Sequence, residues 1–261
     1  MNEKNRELIK KIVGKPGMNL YHKVQRKRID RKEEKYFQAR KKMYASLVNP
    51  GELCFDIGAN EGNRVGPLLS VGARVVAVEP QQSCYTKLRE TYGDKIIIVP
   101  KGVDEAEGEK DLYVASISVF SSFSTEWIDQ VKNGRFYERT WDRKIRVPMT
   151  TLDALVKEYG EPSFIKIDVE GFELQVLKGL STSVRYISFE YTVPEQTSHA
   201  IECIRLIAAL DKDTKFNFSP EESMAWGMKA WLSADNMIEY IRTPMFQAWG
   251  NGDIYSHCFG K

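Results

Sequence analysis

The sequence has few of the residues from which metal centres and disulfide frameworks are built. Its 261 residues include four cysteines, with no Cys-x-x-Cys spacing, and three histidines that each stand alone. Scattered cysteines favour reduced, packing thiols over a disulfide framework or a zinc site. The chain also lacks a run of about eighteen apolar residues, and its N-terminus is polar where a signal peptide would be apolar. We therefore expect a soluble protein made in the cytoplasm, without a transmembrane segment.

A strong excess of one charge is also missing, because the formal net charge is only +2. The two ends of the chain nevertheless differ. Residues 1–48 hold 15 Lys and Arg against 5 Asp and Glu, a net of +10, which leaves residues 49–261 with a net of −8. Basic clusters of this kind suit the phosphates of nucleic acid, an anionic membrane or a phosphorylated substrate. A solvated helix face is favoured over these partners, because no known nucleic-acid-binding motif accompanies the clusters.

With 42% hydrophobic residues, the chain is long enough to bury one large core. We expect a basic helical extension over residues 1–48 and one domain over residues 49–261. Within that domain, strand patterns alternate with helical patterns, which predicts an α/β fold with a mostly parallel sheet and right-handed crossovers. The strands are predicted at residues 53–57, 74–79, 95–99, 111–115, 144–148, 164–168, 185–190, 215–218 and 253–259. The polar and aromatic segment 116–143 fits a substrate-pocket wall and an ordinary surface excursion equally well.

The most informative segment is Leu53–Gly62, where a short apolar strand leads into a turn with two glycines. Gly58 and Gly62 allow positive φ angles and a close approach of the backbone to a ligand. Their spacing is G-x-x-x-G, whereas dinucleotide folds have G-x-G-x-x-G, so a dehydrogenase is disfavoured. Asp56 and Asn60 place polar groups beside the turn. A carboxylate there suits a cationic amino-acid end better than a pyrophosphate.

Two further acids are predicted to contact the cofactor. Glu79 ends the next apolar run about twenty residues beyond the turn, at the position where an acid accepts hydrogen bonds from ribose hydroxyls. Asp56 and Glu79 together predict S-adenosylmethionine as the cofactor. Asp104 follows the third strand, and we expect it near the adenine, although a solvated surface position explains it equally well.

The segment Phe164-Ile-Lys-Ile-Asp-Val-Glu-Gly-Phe-Glu173 carries a family resemblance. Together with Asp56-Ile-Gly-Ala-Asn60 and Thr150-Thr-Leu-Asp153, it resembles the FkbM family of S-adenosylmethionine-dependent methyltransferases over about residues 50–192. The resemblance implies a class I methyltransferase fold, Rossmann-like, with a seven-stranded sheet flanked by helices. It also implies methyl transfer to oxygen, frequently to a hydroxyl of a sugar in a glycan or natural product. The pair Asn63-Arg64 departs from the family pattern, and the likeness reaches neither the extension nor the C-terminal part.

The same segment places three charged side chains along one side of a strand whose two faces should both be covered. A buried Lys166 needs a partner, and we expect an ion pair with Asp168 or with a carboxylate on the adjacent strand. Asp168 ends its strand at the sheet edge where ligands bind, so we predict that it anchors the acceptor hydroxyl and is a candidate base. Glu170, the second predicted catalytic residue, would hold other hydroxyls or orient the loop.

Two more glutamates are candidates for the substrate site. Glu173 is predicted either to contact the substrate and orient the loop or to complement the charge at a helix N-terminus. Glu190 ends the next strand and is expected to face the same sheet edge. Asp168, Glu170 and Glu190, together with His199, would also suit magnesium or calcium, but nothing in their spacing requires a metal, and we predict none.

Two functions of different classes follow from these patterns. The leading prediction is an O-methyltransferase that acts on a small-molecule or glycan acceptor. The alternative is an adapter that binds RNA or a partner through the basic extension and merely retains the cofactor pocket. The sequence gives no prediction of the oligomeric state.

Overall fold

The computed structural model describes residues 31–261. Residues 40–261 form one compact unit, and residues 31–39 belong to another. Residues 1–30 of the predicted extension lie outside the described residues, and the predicted boundary at residue 48 stays a prediction. Within residues 31–261, no helix has both the length and the apolar character needed to cross a membrane.

Ten strands and nine α-helices are described. The strands are β1 (Leu53–Ile57), β2 (Arg74–Val78), β3 (Ile96–Val99), β4 (Gly102–Val103), β5 (Gly108–Val114), β6 (Arg143–Thr150), β7 (Phe164–Ile167), β8 (Tyr186–Thr192), β9 (Lys215–Pro220) and β10 (Asn251–His257). The helices are α1 (residues 31–44), α2 (Val65–Ser70), α3 (Gln82–Tyr92), α4 (Thr125–Val131), α5 (Leu152–Tyr159), α6 (Glu173–Lys178), α7 (Thr197–Leu210), α8 (Ala234–Ile241) and α9 (Pro244–Gln247). Single 3₁₀ turns cover Gly93–Lys95 and Ser118–Phe120.

Seven strands form the main sheet, in the order β3-β2-β1-β7-β8-β10-β9. All neighbours are parallel except β10, which is antiparallel to β8 and to β9. The central parallel strands are mainly apolar, such as RVVAV in β2 and FIKI in β7, and these two strands are buried except at Arg74. Runs of this kind are typical of parallel strands that helices cover on both faces. The predicted α/β fold with a mostly parallel, seven-stranded sheet is confirmed.

The segment between β3 and α5 departs from the parallel pattern. Here β4, β6 and β5 form a second sheet of three strands, in which β6 is parallel to β4 and antiparallel to β5. β4 was missed because two residues are too few to form a pattern. Within residues 116–143, α4 buries Trp127, Ile128 and Val131 in an aromatic cluster separate from the main core.

Candidate active site

The turn after β1, the loops after β2 and β7 and Glu190 of β8 line a cavity of about 280 Å³, here called the first cavity. Ligands of parallel α/β sheets bind at the carboxyl ends of the strands, in the crevice where the strand order reverses. Six of the predicted site residues line this cavity, namely Gly58, Asn60, Glu79, Asp168, Glu170 and Glu190. Four others, Asp56, Gly62, Asp104 and Glu173, do not line it.

The glycine turn is shaped by close contact with the loop after β7. Gly58 has φ +82°, and a Cβ atom there would overlap the carbonyl oxygen of Asp168. Position 58 therefore requires glycine for both its conformation and its space. Gly62 also has a positive φ, but its missing Cβ makes room for the ring of Tyr92 and for Leu88 in α3. Gly62 thus serves helix packing, and the structure does not bring it to the cavity.

Glu79 lies just beyond β2 and is 3% exposed. Its Oε2 accepts a hydrogen bond from the backbone N–H of Asn60 at 2.9 Å, and its Oε1 accepts one from that of Gln81 at 2.8 Å. Burial raises the pKa of Glu79 to about 7, against the effect of these two bonds. A carboxylate offers about four lone-pair positions, so acceptor capacity remains for further donors. A carboxylate in this position fits the ribose hydroxyls of an adenosyl cofactor.

Asp56 is fully buried in β1, beside the cavity but not on its wall. Neither of its carboxylate oxygens has a hydrogen-bond partner within the described part of the chain. Burial raises the pKa of Asp56 to about 7, although the charges of Arg64 and Lys166 oppose this shift. A buried carboxylate left without partners is costly. This orphaned acid next to the glycine turn fits a cofactor whose nearest end is cationic.

Asp104 and Glu173 are held by other parts of the protein. Asp104 follows β4, and its Oδ2 lies 2.6 Å from Nζ of Lys110 while its Oδ1 accepts the backbone N–H of Glu105. The structure therefore gives no support to the predicted adenine contact. Oε1 of Glu173 accepts the backbone N–H groups of Val169 at 3.1 Å and Gly171 at 3.2 Å. Glu173 thus orients the loop after β7, which is one of the roles predicted for it.

Lys166 is fully buried in β7 and is the centre of an ionic network. Its Nζ lies 2.8 Å from Oδ1 of Asp253 and 3.3 Å from Oδ2 of Asp168. The predicted pair with Asp168 is confirmed, whereas the second acid comes from β10, which is two strands away from β7. Arg64 is also close, with Nη2 3.7 Å from Oδ2 of Asp168. Burial favours the neutral acid, but these two cations prevail and lower the pKa of Asp168.

Three carboxyl groups meet where β7 and β8 end. One oxygen each of Asp168, Glu170 and Glu190 lie within 4.8 Å of one another. The pKa of Glu170 is raised, mainly by burial and next by the charge of Asp168. The pKa of Glu190 is also raised, mainly by burial and next by the charge of Glu170. Like charges this close cannot all ionise together. Asp168 is therefore the first to ionise, and the two glutamates keep their protons to higher pH.

These three acids are the group among residues 31–261 whose arrangement suits a divalent cation. Oxygen-rich sites of this kind are typical of magnesium and calcium. His199, considered as a fourth ligand, instead has its Nε2 4.0 Å from Oε2 of Glu126 in α4. The prediction that the site uses no metal stays a prediction.

A second cavity, of about 410 Å³, adjoins two of the three acids. Glu170 and Glu190 line both cavities, so the two spaces meet at these side chains. The remaining wall of the second cavity consists of Phe120, Arg135, Phe136, Thr192 and Asn251. Three of these residues belong to segment 116–143. The structure thus assigns this segment the pocket-wall position considered for it.

Several residues of the first cavity were not predicted from the sequence. Gln81 follows Glu79 and ties the cavity to segment 116–143, since its Nε2 donates to the carbonyl oxygen of Ser118 and its Oε1 accepts from the Ser121 hydroxyl. Arg40, Arg64 and Glu222 also line the cavity. Arg64 had a sequence signal, as a departure from the pattern after the glycine turn. Glu222 had none, because the fold alone brings it to that place.

A comparison with protein families identifies the domain that carries this cavity. Residues 56–217, more than half of the chain, match the sequence model of the methyltransferase FkbM domain. The chain belongs to the FkbM methyltransferase family. The match confirms the resemblance found in the sequence, and it confirms S-adenosylmethionine as the cofactor of this FkbM protein. Glu79 and the glycine turn are the residues whose geometry fits that cofactor.

This FkbM protein shares a low sequence identity with a curated methyltransferase. Hexuronic acid methyltransferase AglP of Haloferax volcanii is 26% identical over 143 residues, which are 53% of this chain and 54% of AglP. The chain thus spans about half the length of the curated relative that it matches.

Among solved structures, precorrin-6y C5,15-methyltransferase of Geobacter metallireducens matches with a TM-score of 0.41 and 10% identity, over 84% of this chain and 86% of that one. A SAM-dependent methyltransferase of Archaeoglobus fulgidus matches with a TM-score of 0.41 and 13% identity, over 84% and 90%. Neither structural match bears on the acceptor.

Proposed function

We propose that this methyltransferase transfers the methyl group to a hydroxyl oxygen of a sugar or a glycosylated metabolite. The observation that carries the proposal is the group of Asp168, Glu170 and Glu190 at the junction of the two cavities. An ionised carboxylate accepts several hydrogen bonds and a protonated carboxyl group donates one, so the three acids together suit the hydroxyls of a polyhydroxylated acceptor. AglP, described as a hexuronic acid methyltransferase, adds support for an acceptor of the sugar class.

The residues of the first cavity hold the cofactor. Glu79 accepts hydrogen bonds from the ribose, and the turn from Gly58 to Asn60 lets the backbone approach. Bound S-adenosylmethionine supplies an electrophilic methyl group on a sulfonium. Because β1 lies between β2 and β7, a ribose at Glu79 leaves the other end of the cavity, beside Asp168, for the reacting groups.

Asp168 binds the acceptor hydroxyl. Lys166 and Arg64 keep Asp168 ionised, so it accepts the hydrogen bond of the hydroxyl and takes its proton as the new oxygen–carbon bond forms and the carbon–sulfur bond breaks. Glu170 and Glu190 keep their protons longer and donate to neighbouring oxygens of the acceptor. Alignment supplies up to about 7–11 kcal/mol in favourable cases, whereas a base adds a factor of about 10²–10⁴. Positioning is therefore the larger part of the work of these acids.

The second cavity provides room for the rest of the acceptor. Phe120 and Phe136, whose ring centroids lie 4.5 Å apart, give it an apolar wall. Thr192 and Asn251 add polar groups to the same wall. Apolar surface combined with a few polar groups is typical of small-molecule sites.

The test measures S-adenosylhomocysteine formed from S-adenosylmethionine with a panel of neutral sugars, hexuronic acids and glycosylated metabolites. We expect acceptor-dependent turnover, and we expect Asp168→Asn to reduce it about 10²-fold or more while binding of S-adenosylhomocysteine changes little. Glu202→Gln, which removes an exposed carboxylate on α7, is the matched control. Methylation at nitrogen or sulfur, or full turnover by Asp168→Asn, would overturn the proposal.

The alternative function, an RNA- or partner-binding adapter, depends on the basic extension. Most of that extension falls within residues 1–30, outside the described part of the chain. The adapter therefore stays a prediction from the sequence.

A further inference from the structure

Two arginines and one glutamate form a charged cluster on the wall of the first cavity. Arg64 donates from Nη1 to Oε2 of Glu222 at 2.9 Å and from Nη2 to Oε1 at 3.0 Å. Arg40 donates from Nη2 to Oε2 of the same carboxylate at 2.9 Å. All three side chains line the cavity. We call Arg40, Arg64 and Glu222 the arginine clamp.

The clamp has the chemistry of a carboxylate-binding site. A guanidinium holds a carboxylate through two parallel hydrogen bonds, which is the arrangement that Arg64 makes with Glu222. The two arginine residues are only 7% and 9% exposed, so water screens them weakly. Two guanidinium groups share the carboxylate of Glu222. The next acid, Asp168, is farther from Arg64, at 3.7 Å, and is closer to Lys166, at 3.3 Å.

Glu222 differs from the two arginines in its exposure to solvent. Its side chain is 44% exposed, and it lies in the loop that follows β9. The side chain is thus able to turn toward solvent without opening the core. Glu222 reaches solvent, yet two buried arginines hold its carboxylate in a ligand cavity. Its carboxylate therefore occupies a place that suits the carboxylate of a ligand.

The position of the arginine clamp in the first cavity indicates which end of the cofactor lies next to it. Glu79, at β2, marks the ribose end of the cavity. Arg64 lies after the glycine turn and near Asp168 at β7, on the other side of β1. In S-adenosylmethionine the carboxylate stands at the far end of the methionyl chain from the ribose. The clamp and the cofactor carboxylate are therefore at matching ends.

We propose that Arg40 and Arg64 bind the carboxylate of the methionyl end of S-adenosylmethionine, and that Glu222 holds this place until the cofactor displaces it. No covalent bond changes, and one carboxylate replaces another on the same two arginines. Glu222 is thus an internal competitor of the cofactor. A hexuronic acid acceptor also carries a carboxylate, so the experiment must separate the two sources.

The experiment compares S-adenosylmethionine with its decarboxylated analogue, since the two ligands differ only in the carboxylate. Their dissociation constants are measured by calorimetry on the whole chain. We expect Arg64→Met to weaken S-adenosylmethionine about ten- to hundredfold, as for a lost charge-assisted pair, and to change the analogue by less than about twofold. Glu222→Gln should tighten S-adenosylmethionine several-fold and leave the analogue unchanged. Arg205→Met, at an exposed arginine of α7, is the control.

Three results would overturn the inference. Equal weakening of both ligands by Arg64→Met means that Arg64 only shapes the pocket. Weaker S-adenosylmethionine binding in Glu222→Gln means that Glu222 supports the arginines and does not compete. If Arg64→Met leaves the cofactor unchanged but weakens glucuronic acid, the acceptor supplies the carboxylate. Thermal unfolding checks each variant, and Arg64→Lys, which keeps the charge but loses the two-pronged bond, replaces Arg64→Met should that variant fail to fold.

Discussion

Replacing Lys166, the buried lysine of β7, tests how the charges of the active site are stabilised. Lys166 is 0% exposed, and its Nζ contacts Asp253 at 2.8 Å, Asp168 at 3.3 Å and the carbonyl oxygen of Ile167 at 3.1 Å. Lys166→Met keeps the length of the side chain and removes the cation. Two acids then lose their nearest positive charge. We expect the protein to become less stable.

The expected size of the effect comes from the surroundings of each acid. Asp253 is 4% exposed and, among residues 31–261, keeps a long side-chain hydrogen bond, 3.5 Å, from the hydroxyl of Tyr255. The side chain of Asp168 is 26% exposed and still has Arg64 at 3.7 Å. The loss of Lys166 therefore costs less free energy at Asp168 than at Asp253. Removing one partner of a buried pair costs about 3–5 kcal/mol. We expect this loss from Lys166→Met, out of a total stability of about 5–15 kcal/mol.

The assay is reversible urea unfolding followed by two spectroscopic probes. Asp253→Asn is combined with Lys166→Met, because a neutral side chain at position 253 removes most of the unpaired charge. The double variant should lose less stability than Lys166→Met alone. Lys178→Met, at an exposed pair with Glu105, should change stability by less than about 1 kcal/mol. A loss of that small size for Lys166→Met, or a double variant no more stable than the single one, would refute the reasoning.

Three further predictions concern the cofactor cavity. Glu79→Gln should weaken S-adenosylhomocysteine about tenfold or more in calorimetry, because a charged acceptor is lost; unchanged affinity would place the ribose elsewhere. Since burial holds the pKa of Glu79 at about 7 and ribose donors favour its ionised form, binding should release protons, and affinity should rise between about pH 6 and 8. Calorimetry in buffers of different ionisation enthalpy measures this release, which Glu79→Gln should reduce. Gly58→Ala should abolish cofactor binding and lower the unfolding midpoint, whereas Gly134→Ala, with open space around it, should do neither.

The parts of the site that could be predicted are those that follow from strands and their ends. Glu79 and Asp168 each come directly after a mainly apolar strand, and all such ends of a parallel sheet share one edge. The need of Lys166 for a partner also followed from its place in a buried strand. Fold class, cofactor and the central acids were therefore accessible from local patterns.

The other contacts of the site could not be predicted, because local sequence patterns do not show which distant residues meet in the fold. Asp253 reaches Lys166 because β10 enters the sheet antiparallel beside β8, and no pattern states that strand order. Asp104 was expected near the adenine because it follows the third strand, but β4 intervenes and Lys110 binds it. Gly62 was predicted to contact the ligand, whereas in the structure a Cβ atom at position 62 would overlap the ring of Tyr92.

The separate aromatic cluster of segment 116–143 bears on how such an enzyme changes during evolution. Trp127 and its neighbours stabilise this segment through a cluster of their own, apart from the core that holds the sheet. The segment also supplies Phe120, Arg135 and Phe136 to the second cavity. A change at Phe136 that reshapes this wall would therefore fall on the separate cluster and not on the core of the sheet. A change at Ser118 or Ser121 would also disturb Gln81 beside Glu79, so new acceptor preferences are more accessible at the aromatic end of the segment.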